Sequence, residues 1–246
     1  MIQLPAQKAG LKWETESKTL ARLDETIANE ISINGDALPL LQYTLSELYE
    51  KKQGELLTFE AYQTLGGIEG ALGNRAETVF LSLGEEAQEA LNHILGLLIS
   101  HSADGSNTTS KIAYWSSLTS NYQHRLVQAM VDSRLFISDI NHDQPSFRLA
   151  HEALLRSWSR IEQWIEKHRH SLTVKAKLLI QTNAWIEQRK DTAYLLPKGK
   201  PLDDALELVN VTNIELTVHE LDLIKRSQRR VKTLQWWRSA TVALLM

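Results

Sequence analysis

A chain of 246 residues with 43% apolar and 23% charged residues can build one large domain or two to three small ones around buried cores. A formal net charge of −3 excludes a global basic field for nucleic acid, and the absence of cysteine excludes disulfides, thiolate metal sites and cysteine nucleophiles. Only five prolines and eleven glycines punctuate the chain, which points to helix, and the opening Met1-Ile2-Gln3-Leu4-Pro5 lacks the runs of a secretory signal.

Leu20, Leu23, Ile27 and Ile31 recur at spacings of three and four, which predicts a first helix over 16–32. Asn34-Gly35-Asp36 ends it. A second helix is expected over 37–52, with Pro39 in the first turn, where a missing N–H costs nothing, and Leu41, Leu45 and Leu48 on one face. Thr58-Phe59-Glu60-Ala61 reads as a capped start of a short third helix. Leu65-Gly66-Gly67-Ile68-Glu69-Gly70 is a turn into a helix over 71–83. Another opens at Gly84 and ends in the apolar run 94–99, and residues 101–110 are the most loop-like segment.

A helix over 121–133 then precedes an alternating strand at 134–139, a turn at 141–145 and a returning strand at 146–150. A helix followed by a two-stranded hairpin is the closing half of a winged helix. From His151 onward the pattern is helical, over 151–167, 171–189, 201–209 and from 217 to the end. The expected fold class is mainly α, a helical bundle plus a winged helix with a small β-hairpin wing, followed by a C-terminal helical arm.

The tail carries Arg226, Arg229, Arg230, Lys232 and Arg238 around Trp236-Trp237, then eight mostly apolar residues. Basic, aromatic, apolar is the order at the cytoplasmic edge of a membrane helix, but a span takes about 20 apolar residues. Three readings stay open: the start of a span, an interfacial anchor, or the end of a packed helix. The expected location is cytoplasmic, with contact at the inner membrane face through this tail.

Chemistry is sparse. The phosphate-cradling string G-x-x-x-x-G-K-[ST] is absent, as are H-E-x-x-H and G-x-S-x-G. The glycines at 66, 67, 70 and 73 lack the lysine and hydroxyl and read as turn residues. His168 and His170 are two apart on a helix and point in different directions, so no metal site is expected. The candidate recognition helix at 122–131 carries one arginine, too few for a reader of duplex DNA. His151-Glu152 stands where the hairpin ends and a helix begins. There a phosphate could meet free amides and an imidazole, or the histidine could simply cap and pack.

Three strings together resemble the C-terminal part of a bacterial novel STAND-type signalling ATPase: Ala37-Leu38-Pro39-Leu40-Leu41-Gln42-Tyr43, Leu65-Gly66-Gly67-Ile68-Glu69-Gly70-Ala71-Leu72, and Leu149-Ala150-His151-Glu152-Ala153-Leu154-Leu155-Arg156-Ser157-Trp158. Leu4-Pro5-Ala6 and Ala9-Gly10-Leu11 fit as well, so the resemblance covers nearly the whole chain, least clearly over 101–122. It implies that Pro39 packs on adenine and that His151 reaches the β-phosphate of bound ADP. One departure is Ala37, where the related motif has glycine. The other is that the P-loop, the Mg²⁺-binding acidic strand and the sensor do not occur here, which implies a piece truncated at both ends with no catalysis of its own. It further implies ADP or ATP as cofactor only in a full-length protein, and an ATPase core, sensor and effector domains or like copies as partners.

On this basis residues 1–83 are a helical lid segment, 84–166 the winged helix, 167–225 a helical arm and 226–246 a juxtamembrane-like tail. The expected function is regulatory, coupling nucleotide state to conformational switching or assembly. The rivals are a winged-helix DNA-binding regulator and a membrane-associated scaffold.

Overall fold

The structure, a computed structural model, describes residues 2–16, 20–33, 37–211 and 214–244; within these, the side chains of 32–33, 37–40 and 234–244 are not described. In chain order the elements are α1 (Gln3–Lys8), β1 (Lys12–Trp13), α2 (Leu23–Ile33), α3 (Ala37–Glu50), β2 (Leu56–Leu57), α4 (Phe59–Thr64), α5 (Gly67–Leu81), α6 (Glu85–Glu89), α7 (Leu91–Leu98), β3 (Ile99–His101), β4 (Thr108–Ser110) and β5 (Ala113–Tyr114). There follow α8 (Asn121–Asp132), β6 (Phe136–Asn141), β7 (Gln144–Leu149), α9 (Leu154–Ser157), α10 (Ser159–Glu187), α11 (Lys200–Leu208) and α12 (Val218–Leu244). The fold is mainly α with a small β-hairpin. No helix among the described residues is long and apolar enough to cross a membrane.

The chain forms two compact units, residues 1–90 with 114–163, and residues 91–113 with 164–246. In the first unit, local chemistry starts each element. Thr58 caps α4 by accepting from Ala61 N at 3.2 Å, and Ser120 and Gln123 form a reciprocal capping box on α8. Strands β6 and β7 pair antiparallel from Phe136↔Leu149 to Asn141↔Gln144, leaving His142 and Asp143 as a two-residue turn with both φ positive. This hairpin lies in a three-stranded sheet of order β5-β7-β6. Phe136 and Phe147 stack across it with ring centroids 6.4 Å apart, and both are buried with Leu126, Met130 and Trp158.

The second unit packs Leu95, Leu98, Ile99, Leu178, Trp185 and Leu223 in its core. Thr217 and Glu220 cap α12 reciprocally, with Thr217 N donating to Glu220 Oε2 at 2.6 Å and Glu220 N to Thr217 Oγ1 at 3.3 Å. Glu220 is fully buried, and the Lys175 ammonium donates to it.

Three sequence expectations are corrected. The first long helix begins at Leu23 rather than 16, because Leu20 takes a left-handed φ of +57° and Thr15 bridges back to Arg22. Within the loop-like segment 101–110 a hairpin forms, with β3 and β4 paired from Ile99↔Ser110 to His101↔Thr108. Its polar turn is tied by Asp104, which accepts from Ser102 Oγ at 2.5 Å and Ser106 N at 3.0 Å, so the serines and asparagine that signal a loop build a tight turn instead. Finally, the helix expected over 151–167 breaks at Trp158 (φ −98°, ψ 106°), and α10 then runs unbroken past His168. His168 stacks on Trp164 at 4.4 Å inside it.

Candidate functional site

The first unit holds a polar cavity of about 290 Å³ lined by Gln42, Tyr43, Ser46, Arg75, Asp132, Ser133, Arg134 and His151. Four elements supply these residues. Gln42, Tyr43 and Ser46 come from α3, whose first turn holds Pro39; the Pro39 side chain lies outside the described residues. Asp132 and Ser133 close α8, and the Tyr43 hydroxyl donates to the Ser133 carbonyl, joining α3 to that helix end.

Arg134 follows in a left-handed backbone, φ +59°. Around it the α8 terminus makes a complete Schellman motif: Leu135 N donates to Met130 O at 2.9 Å and Arg134 N to Val131 O at 2.9 Å. Leu135 and Met130, at the two positions whose apolar side chains commonly accompany this motif, are both fully buried. Arg134 therefore occupies the position that glycine ordinarily takes.

His151 stands two residues beyond β7 in the turn that opens α9, where Leu154 N donates to its carbonyl at 3.1 Å. The helix that this turn opens, α9, packs against α5. Gly66 and Gly67 start α5 with φ +74° and +73°, values that side-chain-bearing residues rarely adopt. Along α5, Glu69 accepts from Arg156 Nε at 2.9 Å and Nη2 at 2.6 Å. Glu77 accepts from Arg160 Nε at 2.8 Å and Nη2 at 2.7 Å, and from Trp158 Nε1 at 2.9 Å. The Arg160 guanidinium holds the Glu77 carboxyl below the ordinary carboxylate range, and Glu69 raises the pKa of Arg156. Between these pairs lies Gly73, where a Cβ would stand 2.0 Å from the Ser157 carbonyl oxygen. Two of the three strings singled out in the sequence are thus clasped to each other.

Arg75 belongs to the same helix but makes no such pair. Its Nε is buried and finds no hydrogen-bond acceptor among the described residues. Sequence reasoning passed over Arg75 and Arg134. For Arg75 a signal existed: it is the one lysine or arginine between Lys52 and Lys111.

Other features differ in chemistry. A larger cavity of the first unit, about 420 Å³, is walled by apolar groups such as Pro5, Leu11, Trp13, Leu41 and Leu45 and offers no charge to a ligand. In the second unit, His170, Asp204 and Glu207 bring potential metal-ligand atoms within 4.8 Å of one another, but the Lys200 ammonium already sits 2.5 Å from Asp204 Oδ1. On α12, Arg226 pairs with Asp222 at 2.9 Å and Arg230 donates to the Thr192 carbonyl, while Arg229 and Lys232 are exposed. The side chains of Trp236, Trp237 and Arg238 lie outside the described residues.

The family model described as novel STAND NTPase 1 matches residues 1–193. Neither the curated proteins nor the solved structures yield a match.

Proposed function

The chain belongs to the novel STAND NTPase 1 family, and on that footing we propose that it is a regulatory arm that reads the phosphates of a bound nucleotide. The observation that carries this reading is the cavity that places His151 with two arginines on α5 and after α8. An imidazole and two guanidiniums around a polar cavity suit a phosphate better than a neutral or cationic ligand. Helix α3, bearing Pro39, contributes to the same cavity, in keeping with a role for that segment beside the nucleotide base. In this reading α8 with the β6–β7 hairpin is the closing half of a winged helix, and His151 rides on its far edge.

The arm carries out no hydrolysis itself. It works with an ATPase core that cradles the phosphates, and it favours the compact, ADP-bound form until a signal releases it, a shift between two states that couples nucleotide to assembly. Because His151 would contact the β-phosphate, ADP is the ligand it stabilises.

Calorimetry on the purified chain with Mg²⁺ tests this. ADP should bind at micromolar strength, and His151→Ala should weaken it by about tenfold, the worth of one charge-assisted hydrogen bond. An unchanged affinity in the variant, or no ADP binding by the wild-type chain, overturns the reading.

A further inference from the structure

We propose that Arg75 and Arg134 form a two-arginine clamp for a phosphate oxyanion in the cavity that His151 lines. This rests on the phosphate reading of that cavity and assigns it ligands that neither the family match nor the sequence motifs name.

Arg75 gives the first reason. A buried guanidinium N–H with no acceptor is a desolvated donor left unsatisfied, a state that folded proteins avoid. The arginines that meet the opposite side of α5 are satisfied: Arg156 of α9 and Arg160 of α10 each grip a glutamate with two nitrogens. The acceptor that Arg75 lacks is one that arrives with a ligand, and the cavity is where it would arrive.

Arg134 gives the second. At the left-handed position of a Schellman motif, a side chain crowds the backbone and glycine relieves it. An arginine there strains the helix end, and its side chain lines the cavity. Arg189 ends α10 in the same way, with φ +52°, Arg189 N on Ile186 O at 3.0 Å and Lys190 N on Trp185 O at 2.8 Å, and like Arg134 it is exposed, but it does not line this cavity. It is therefore an internal control for the backbone effect alone.

Charge and size agree. Two permanent cations face one carboxylate, Asp132, around the cavity. Planar guanidiniums present paired donors that match phosphate oxygens. At about 290 Å³ the space lies at the small end of ligand pockets, which suits the phosphate end of a ligand rather than a whole nucleotide.

The probes are pyrophosphate, inorganic phosphate and ADP, titrated calorimetrically into the full chain and its variants Arg75→Gln, Arg134→Gly, Arg189→Gly and His151→Ala. Pyrophosphate should bind, and Arg75→Gln and Arg134→Gly should each weaken it by about tenfold. Arg134→Gly and Arg189→Gly should both melt at or above the wild-type temperature, while Arg189→Gly leaves binding unchanged. That pairing of weaker binding with an undiminished melting temperature is one a structural role for Arg134 would not give. If ADP binds and His151→Ala weakens it while both arginine variants bind like wild type, the clamp falls and the nucleotide reading stands. If pyrophosphate depends on the arginines but ADP does not bind, the clamp stands and the nucleotide reading falls, leaving a free-phosphate or pyrophosphate site. Absence of pyrophosphate binding to the wild-type chain overturns the clamp.

Discussion

Helix α5 has two differently treated sides. Glu69, Gly73 and Glu77, one helical turn apart, meet α9 and the start of α10, and both charges there are gripped by bidentate arginines. Arg75 lies two residues from Gly73 and from Glu77, roughly 200° round the helix, and its Nε has no acceptor among the described residues. A paired charge fixes where a segment sits, whereas an unpaired one beside a cavity is available to something that comes and goes. On this comparison the first side builds the site and the second operates it. The two are mechanically joined, since the clasp on one side anchors the chain from Arg156, five residues beyond His151.

The strongest way to break the clasp is at Gly73. Its Cβ position falls 2.0 Å from Ser157 O and 2.7 Å from Ser157 C, both backbone atoms of α9 that cannot swing away. Gly73→Ala should therefore destabilise the first unit by about 3 kcal/mol through overpacking, read as a lower urea midpoint. A loss below about 0.5 kcal/mol would mean that α9 shifts freely and that the clasp does not fix the turn holding His151.

Parts of this comparison are legible in the sequence and parts are not. The β6–β7 hairpin shows itself because alternation and the Asn141-His142-Asp143 turn are local signals. Helix α4 shows itself through its Thr58 cap. His151 can be found from its place after a hairpin. The 99–110 hairpin cannot, since its serines and threonines carry no apolar alternation and the pairing is fixed by a turn that composition reads as loop. The start of α2 fails because the left-handed Leu20 is not a residue type that announces itself. The orphaned state of Arg75 is set by what α3, α8 and α9 bring round it, and only the isolation of that lone cation in the chain hints at it.

Removing the charge of Glu77 is a milder break, with a pH signature. Glu77 lies below the ordinary carboxylate value because Arg160 hydrogen-bonds to its charged form. A carboxyl depressed on folding contributes stability that is complete above its unfolded pKa and lost as the pH falls through the folded one. Glu77→Gln should thus be less stable than wild type by about 1–2 kcal/mol at neutral pH. The gap should start to close below the ordinary value of 4.5 and disappear at lower pH. A gap that stayed constant from pH 7 to pH 3 would show that Glu77 acts by shape and not by its ion pair.

The smallest effect belongs to Asp132, the one carboxylate among the described residues on the cavity wall. It is exposed and accepts from Gln128 Nε2 at 2.7 Å one turn earlier in α8, so its charge opposes an anion without being needed to hold the cavity together. Solvent screens such a charge, and its repulsion of a phosphate is of the order of a surface ion pair. Asp132→Asn should therefore tighten pyrophosphate binding about threefold at low salt, with the gain fading as salt is raised. An asparagine can still accept from Gln128, so the helix end is preserved. Weaker binding in this variant would instead mean that the carboxylate orients Arg134 or holds a cation beside the phosphate, and the two arginines alone would no longer account for the anion specificity of the site.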